Sequence, residues 1–514
     1  MQTELTRQTL GDLLRRSAAR FPHKLAVRCG SVDWTYAKFD AVCTRLAAGL
    51  HAQGVRSGDR VAVIARNSHG FAALRFALAR LGAVLVPINF MLNADEARFI
   101  LEHSGASVLC VDAHFAALAA QAAQGTAVQF TLGLPGEHSA APVPGTLGFD
   151  ALVNHAQAMP EVQLDGAMLA QIIYTSGTES RPKGAMLTHA AVIAEYVSCI
   201  VDAEISERDL ILHALPLYHC AQLDVFFGPA VYVGATSVIT GTPTPDNLLA
   251  LMAANQINSF FAPPTVWIGL LRAPAFDATD LSALRKGYYG ASIMPVAVLQ
   301  EIQRRLPEVR LWNLYGQTEI APVATVLKPE DQLRKAGSAG LPALNVETRV
   351  VDDDMRDVAV GEVGEIVHRS PQLLSGYYRD EEKTAAAFAG GWFHSGDLGV
   401  RDAEGYLTVV DRKKDMIKSG GENVASREVE EALYTIDGVS EVAVIGLPDA
   451  RWIEAVVAVI VCKAGVTLSE AGVIEACSTR LAGFKCPKRV IFVDALPKNP
   501  SGKLLKRELR QRYV

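Results

Sequence analysis

The sequence lacks the features that would tie it to a disulfide scaffold, a membrane or nucleic acid. Its eight cysteines are scattered without a Cys-x-x-Cys pair, so neither a disulfide framework nor a zinc site is expected. No uninterrupted apolar run reaches the length of a bilayer span, because charges such as Arg80 and Asp224 break the longest candidates. A formal charge of −6 lacks the basic excess of a general nucleic-acid binder.

The first residues, Met1 to Arg7, also lack the apolar core of a signal peptide. We therefore expect a cytoplasmic protein with reduced thiols, no transmembrane segment and no nucleic-acid partner. Peripheral membrane contact and a homo-oligomer stay open. Apolar side chains are abundant. Half of the 514 residues are hydrophobic, which is enough for two or more hydrophobic cores.

Hydrophobic patterning predicts an α/β fold. Short apolar strands alternate with helical segments over 25–112 and again over 209–315, as in βαβ units with largely parallel sheets. The segment 124–148 is expected to be a loop. Short extended runs between Gly, Pro and Asp turns predict a β-barrel-like subdomain over about 337–410.

The predicted architecture has two domains. The large N-terminal domain, residues 1–411, comprises the two βαβ-type sheets and the β-rich subdomain. The small, mobile α+β domain, residues 412–514, follows a hinge in the charge cluster Asp411–Asp415.

The most informative stretch runs from Tyr174 to His189. An apolar strand precedes it, and a helix with Thr188 as a possible N-cap follows it. Its glycines, hydroxyls and lysine suit a polyphosphate, since glycine permits close backbone approach while hydroxyls and N–H groups donate hydrogen bonds. A Walker A loop is excluded because Pro182 stands five residues after Gly177. An ordinary Gly/Ser/Thr-rich turn is the alternative.

This loop resembles the signature of the acyl-adenylate-forming (AMP-binding) superfamily, and other stretches follow in the family's order over nearly the whole chain. The resemblance is to the acyl-CoA synthetase or fatty-acid–CoA ligase branch. It implies that a carboxylic acid, ATP and CoA are converted to acyl-CoA, AMP and pyrophosphate through an acyl-adenylate. One departure is Glu179-Ser180 where the family usually has Thr-Gly. A carboxylate facing the phosphates would repel them, so we expect Glu179 to face solvent.

The resemblance implies a nucleotide site drawn from several motifs. Tyr315 is expected to stack on adenine, Glu319 to hold Mg²⁺, and Asp397 and Arg412 to contact the ribose. The complete set of implied ATP-site residues is Thr175, Ser176, Gly177, Thr178, Lys183, Gly290, Ala291, Ser292, Tyr315, Gly316, Thr318, Glu319, Asp397 and Arg412.

Catalytic roles are implied for Lys503, His219, Thr175 and Glu319. Lys503 ends the motif Pro497–Lys503 and resembles the lysine that reaches between the carboxylate and the α-phosphate. His219 resembles an aromatic gate between the acyl and nucleotide pockets, while Cys220 beside it is expected to be pocket lining or core. The basic residues Lys506, Arg507 and Arg510 are expected to be solvated.

The resemblance also implies that the small domain rotates to bring CoA to the adenylate. Lys414 falls at the expected hinge position, and Gly420 and Gly421 would leave a slot for pantetheine. Trp452, Phe484 and Lys488 resemble positions used against the CoA nucleotide, although Cys486 stands where some members have a basic residue. Free CoA is favoured over a separate carrier protein because no carrier domain follows the small domain.

We expect the acid-binding pocket to be built from residues 219–227, 262–267, 288–292 and 313–315. Apolar bulk would come from Phe226, Phe227, Trp267, Tyr288 and Tyr289, with Gln222 and Asp224 as polar readers. A medium- or long-chain fatty acid is the expected substrate. Alternatives are an aryl or short functionalised acid, transfer to a carrier protein, or a silent AMP-binding homologue. Retention of Lys503, Glu319 and Lys183 together favours activity.

Overall fold

Two large sheets, each parallel in its centre, form most of the N-terminal part of the chain. The computed structural model describes residues 6–138, 143–175, 182–290, 294–413, 415–419, 422–449, 451–499 and 504–514. The first sheet has nine strands, of which the central six are parallel. From edge to edge its strands are Leu341–Pro342, Val323–Leu327, Arg310–Gly316, Lys286–Gly290, Ser259–Phe261, Leu210–His213, Thr236–Ile239, Leu25–Cys29 and Val32–Thr35.

The second sheet has eight strands, and six of them are parallel. Its strands in spatial order are Gly376–Tyr377, Lys183–Thr188, Leu169–Thr175, Val84–Pro87, Arg60–Ile64, Val108–Val111, Phe130–Gly133 and Leu147–Gly148. Central strands such as Val84–Pro87 are buried along their whole length, which explains their continuous apolar sequences. The predicted βαβ alternation is confirmed.

Two local predictions need correction. The segment 124–148 contains the short strands Phe130–Gly133 and Leu147–Gly148 at one end of the eight-stranded sheet, which its Gly- and Pro-rich composition concealed. Thr188 is the predicted N-cap and accepts a hydrogen bond from the Ala191 amide. However, the strand Lys183–Thr188 intervenes between the loop and that helix. The stretch around the loop is therefore a strand–loop–strand hairpin.

The helices run between the strands and cover the two sheets. Helix Ala94–Ser104 illustrates how the local sequence sets both ends of a helix. Asn93 and Glu96 form a capping box, and Gly105 ends the helix with a left-handed φ of 63°. The described α-helices of five or more residues are Leu10–Arg20, Tyr36–Ala52, His69–Leu81, Ala94–Ser104, Ala116–Ala123, Phe149–Val153, His189–Asp202, Gly228–Val233, Pro245–Ala254, Pro264–Arg272, Val296–Arg305, Glu381–Ala387, Ser426–Tyr434, Glu470–Ser478 and Lys506–Tyr513. None of these has the combination of length and apolar character that a bilayer span needs.

The segment predicted as β-rich, residues 337–410, is distributed over three sheets. Its own antiparallel sheet has four strands in a linear order, Glu347–Val351, Gly364–Arg369, Phe393–Arg401 and Leu407–Arg412. Leu341–Pro342 joins the nine-stranded sheet, and Gly376–Tyr377 joins the eight-stranded sheet. The antiparallel character is confirmed, but the described pairings form an open sheet and no closed barrel.

A smaller C-terminal domain contains a mixed, mostly antiparallel sheet of five strands. They are Glu422–Val424, Ile417–Ser419, Ile453–Cys462, Val439–Asp449 and, in parallel with Ile453–Cys462, Arg489–Phe492. Three helices pack with this sheet: Ser426–Tyr434, Glu470–Ser478 and Lys506–Tyr513. The exact boundary at residues 411 and 412, and the mobility of this domain, stay predictions.

The predicted solvation of the last basic residues is partly wrong. Lys506 Nζ lies 2.8 Å from a Glu430 carboxylate oxygen and donates to the Ser426 hydroxyl at 2.7 Å. Arg510 forms an ion pair of 2.8 Å with Asp415 beside the predicted hinge. Only Arg507 is exposed. The prediction failed for Lys506 and Arg510 because the acidic residues that pair with them lie far away along the chain.

Candidate active site

A cavity of about 700 Å³ lies where strands of both large sheets end. The last residues of four parallel-sheet strands line it: Pro87, Thr175, Phe261 and Gly316. Ligands of open α/β sheets collect at this edge. Sequence-predicted residues that line the cavity are Thr175, Lys183, His219, Tyr315, Gly316, Thr318, Glu319 and Arg412.

Several predicted residues lie outside the described part of the chain. They are Ser176, Gly177, Thr178, Ala291, Ser292, Lys414, Gly420, Gly421 and Lys503. The neighbours of two of these groups are informative. Thr175 and Lys183, which flank the phosphate loop, are directly opposed across the hairpin and both line the cavity. Asn499, four residues before Lys503, also lines it. Both motifs therefore approach one cavity.

A ring, a carboxylate and a guanidinium meet on one side of the cavity. The Tyr315 hydroxyl donates to Asp397 Oδ2 at 2.7 Å, and Arg412 Nε lies 3.4 Å from Asp397 Oδ1. Asp397 and Arg412 face each other on adjacent strands. Burial, together with the Asp397 charge, raises the pKa of Tyr315, so the phenol keeps its proton. This arrangement offers a buried acceptor for sugar hydroxyls next to an aromatic ring.

Glu319 and Lys183 are two further charged residues that line the cavity. Glu319 Oε1 accepts a hydrogen bond of 3.0 Å from the Tyr377 hydroxyl, and Lys183 Nζ lies 4.8 Å from the centre of the Tyr377 ring. The described residues contain no cluster of three or more His, Cys, Asp or Glu able to hold a metal alone. One carboxylate beside a phosphate-binding loop fits Mg²⁺, which is commonly held by one or two carboxylates and substrate phosphates.

His219 begins the segment that forms the apolar side. Its imidazole Nδ1 accepts from the Ala221 amide at 3.1 Å, which caps the turn Cys220–Gln222. A π-helix, Leu223–Phe227, follows directly, and such elements frequently occur at functional sites. Within it, Val225 and Phe226 line the cavity.

Comparison with known proteins agrees with this geometry. The model of the AMP-binding enzyme family matches residues 14–378, and the model of the AMP-binding enzyme C-terminal domain matches residues 428–503. The chain belongs to the AMP-binding enzyme family. Within this family it lies in the acyl-CoA synthetase branch and is an AMP-forming acid–thiol ligase that uses ATP, Mg²⁺ and CoA.

Its relatives in the AMP-binding family are named for different acids. A feruloyl-CoA synthase of Amycolatopsis is 38% identical over 98% of this chain and 99% of its own. A long-chain-fatty-acid–CoA ligase of Mycobacterium tuberculosis is 37% identical over 98% of this chain and 99% of its own. The solved structure of an anthranilate CoA ligase in complex with anthranoyl-AMP superposes with a TM-score of 0.91, at 26% identity, over 98% of this chain and 97% of that chain. The activity is thus acyl- or aryl-CoA ligation, and the names leave the acid open.

The predicted polar readers of the acid are structural. Asp224 is fully buried, pairs with Arg75 at 3.0 Å, and accepts hydrogen bonds from Gln171 and Tyr196 at 2.7 and 3.1 Å. Gln222 is also fully buried: its Oε1 accepts from the Leu215 amide at 3.2 Å, and its Nε2 donates to His213 Nδ1 at 2.7 Å. These internal partners occupy the polar atoms, so the expectation for both residues was wrong.

Most of the predicted aromatic lining belongs to the hydrophobic core. Phe226 lines the cavity, whereas Phe227, Trp267, Tyr288 and Tyr289 are buried beyond it. The indole N–H of Trp267 donates to the Tyr288 carbonyl at 3.0 Å. The hydroxyls of Tyr288 and Tyr289 donate to the Ala203 carbonyl and to Gln332 Oε1 at 2.7 and 2.6 Å. Side chains on adjacent strand positions point to opposite faces, which the segment-wide prediction ignored.

Gly290 is not among the residues that line the cavity. It pairs with Leu314 on the neighbouring strand, and a Cβ at Gly290 would lie 2.4 Å from the Leu314 carbonyl oxygen. The position therefore admits no side chain. Cys220 lines the cavity as expected, with its Sγ 3.3 Å from the Thr318 hydroxyl, and burial raises the pKa of its thiol. A buried, protonated thiol is a poor nucleophile.

The residues predicted to meet the CoA nucleotide lie apart from the cavity. Lys488 Nζ is 4.6 Å from the centre of the Trp452 ring, so these two side chains form one cation–aromatic pair. Phe484 packs instead near Lys485, whose Nζ is 5.7 Å from its ring. Cys486 is buried. The structure therefore supports a shared surface for Trp452 and Lys488.

Among the cavity residues that sequence reasoning missed are Tyr218, Gln317 and Tyr377. Gln317 stands inside the Tyr315–Glu319 motif, so its position alone pointed to it. Tyr218 directly precedes His219, and only His219 was predicted to have a role there. Tyr377 lies on a two-residue strand whose pairing with Lys183–Thr188 has no local signal.

Proposed function

We propose that the chain is an AMP-forming CoA ligase for an aryl or other ring-containing acid. The observation that carries this proposal is the aromatic wall at the apolar end of the cavity. Phe226 and Phe261 line that end and stack with ring centroids 4.6 Å apart. Tyr288 packs on Phe226 at 5.0 Å, and Trp312 stacks on Tyr288 at 5.0 Å. All four rings are at most 3% exposed.

Close-packed rings at and behind the cavity surface favour a short, flat acid. Aromatic rings pack favourably on one another in stacked and edge-to-face arrangements. A long hydrocarbon chain would need a channel through this wall, and close-packed rings move only at a cost. The predicted fatty-acid preference is therefore the second candidate, and its specific support is the 37% identical long-chain relative.

Two buried polar groups further favour a substituted acid. The Tyr218 hydroxyl and the Gln317 amide nitrogen belong to cavity-lining residues and have no hydrogen-bond partner among the described residues. An unpaired buried donor is costly, so a ligand that supplies the partner gains affinity. A hydroxyl, methoxy or carbonyl group on the acid would do so, whereas an alkyl chain would not. The feruloyl-CoA synthase relative is named for an acid with hydroxyl and methoxy groups on its ring.

In the first half-reaction, a carboxylate oxygen would attack the α-phosphorus of ATP, and the bond to pyrophosphate would break. Asp397 and Arg412 would hold the ribose, and Tyr315 would support the adenine ring. Lys183 and Lys503 would neutralise phosphate oxygens as negative charge shifts. Glu319 would hold Mg²⁺, which screens the charge of the leaving pyrophosphate.

In the second half-reaction, the CoA sulfur would attack the acyl carbon and AMP would leave. Rotation about Lys414 would place Gly420 and Gly421 beside the pantetheine arm and remove Lys503 from the site. Trp452 and Lys488 would meet the CoA nucleotide, with Phe484 nearby. Free CoA is the proposed acceptor.

The deciding experiment is acid-dependent pyrophosphate exchange with a panel of ferulate, indole-3-acetate, anthranilate, octanoate and palmitate. We expect kcat/KM for the best aryl acid to exceed that for either fatty acid by at least about tenfold, equal to about 1.4 kcal/mol. A preference for palmitate would establish the second candidate instead. Acyl-AMP formation without thioester on adding CoA would indicate a carrier-protein acceptor. AMP binding without exchange on any acid would indicate a silent homologue.

A further inference from the structure

Tyr377 connects two charged residues that line the cavity, Glu319 and Lys183. Its hydroxyl donates to Glu319 Oε1 at 3.0 Å, and Lys183 Nζ lies 4.8 Å from its ring centre. The Tyr377 side chain lines the cavity although the residue is only 7% exposed. One side chain thus contacts both the lysine that flanks the phosphate loop and the carboxylate assigned to Mg²⁺.

The backbone around Tyr377 fixes this geometry. Gly376 and Tyr377 pair with Met186 and Ala185 on the strand that begins at Lys183. The Leu374 amide donates to the Glu319 carbonyl at 2.8 Å. The segment 374–378 is therefore hydrogen-bonded to both the phosphate-loop hairpin and the turn that carries Glu319.

We propose that Tyr377 is a positioning residue for Mg²⁺: its hydroxyl holds one oxygen of Glu319 so that the other oxygen faces the metal and the ATP phosphates. The proposal rests on the proposed role of Glu319 as the metal ligand. Outer partners of metal ligands fix ligand orientation, and their loss typically costs 10–100-fold in metal affinity or activity.

Tyr377→Phe is a sharp probe because it removes one oxygen atom and retains the ring beside Lys183. The readout is direct metal affinity: binding of Mn²⁺ to the full-length protein with α,β-methylene-ATP, followed by electron paramagnetic resonance of free Mn²⁺. We expect Tyr377→Phe to weaken Mn²⁺ binding about tenfold and Glu319→Gln to weaken it at least as much. The double variant should bind no more weakly than Glu319→Gln, because Tyr377 acts through Glu319.

The matched control is Tyr378→Phe. Tyr378 is the next residue on the segment, and its ring packs against His103 with centroids 5.8 Å apart. This variant should bind Mn²⁺ like the parent. Melting temperatures of all variants report whether the fold is retained.

The outcomes distinguish the positioning role of Tyr377 from the metal-ligand role of Glu319. Unchanged Mn²⁺ affinity in folded Tyr377→Phe, with a loss in Glu319→Gln, overturns the positioning role alone. Additive losses in the double variant overturn it too, because Tyr377 would then act independently. Unchanged Mn²⁺ affinity in Glu319→Gln would overturn the assignment of Glu319 as a metal ligand, and the positioning role of Tyr377 with it. The proposed specificity for an aryl acid would not be affected.

Discussion

At the scale of single residues, the partners of a side chain decide its role. Asp224 and Asp397 are both buried aspartates close to the cavity. Asp224 has an arginine, an amide and a phenol as internal partners, so its charge is satisfied within the protein. Asp397 faces Tyr315 and Arg412, which both line the cavity. The same residue type is structural in one place and a predicted ribose contact in the other.

Lys503 carries the sharpest residue-scale prediction. We expect Lys503→Ala to slow acyl-adenylate formation by about 10²–10³, or about 3–4 kcal/mol, because the lysine would stabilise charge that develops at the α-phosphate. Single-turnover formation of acyl-AMP measures this step. Arg507→Ala is the matched control, since that side chain is exposed on the same tail. A slowing of less than about threefold would refute the role of Lys503.

At the scale of elements, a buried ion pair anchors the segment that shapes the acid site. Asp224 lies in the π-helix Leu223–Phe227, and Arg75 lies on the helix His69–Leu81. Both side chains are at most 2% exposed. The ion pair therefore connects the π-helix, which carries the cavity-lining Val225 and Phe226, to the helix His69–Leu81.

Breaking this pair should destabilise the protein strongly. Arg75→Met is expected to lower the free energy of unfolding by roughly 3–5 kcal/mol, because it leaves the Asp224 charge buried and uncompensated. Urea unfolding followed by circular dichroism gives this quantity. Arg208→Met is the control, since Arg208 is 89% exposed and its surface pair should contribute at most about 1 kcal/mol.

The double variant Arg75→Met, Asp224→Leu tests the physical reason. Removing both charges eliminates the desolvation penalty, so the double variant should be more stable than Arg75→Met alone. Equal or lower stability of the double variant would mean that the loss comes from packing and not from the unpaired carboxylate.

At the scale of the whole molecule, four buried histidines link stability to pH. Burial lowers the pKa of His69, His189 and His368 to about 4 and that of His213 to about 3. Each lies below the ordinary value near 6.5, so the unfolded chain binds protons at a higher pH than the folded chain does. Stability is then highest above pH 6.5 and is lost as the pH falls towards 4.

Urea unfolding between pH 4.5 and 7.5 tests this dependence. We expect the free energy of unfolding to fall below pH 6.5, with each buried histidine contributing a slope of at most about 1.4 kcal/mol per pH unit. His368→Gln should reduce the slope, whereas His23→Gln should leave it unchanged because His23 is exposed. A flat profile over this range would contradict the linkage.

Local patterns determined a large part of this protein. Hydrophobic alternation placed the parallel strands and helices, since each element depends mainly on residues within a few positions. Resemblance to family motifs pointed to the phosphate loop, the Tyr315–Glu319 turn and Asp397, and the matching family models confirm the family. The strands Phe130–Gly133 and Leu147–Gly148 were missed because they are short and lie in a segment rich in Gly and Pro.

Only the tertiary structure decided which side chains meet the ligand cavity. Arg75 and Asp224 are 149 residues apart in the chain, yet their contact makes Asp224 structural. Tyr377 and Glu319 are 58 residues apart, and their contact brings an unremarked tyrosine into the site. Local sequence encodes the period of an element and the type of a loop. Burial and the pairing of charges depend on distant segments, and those terms assign each residue its role.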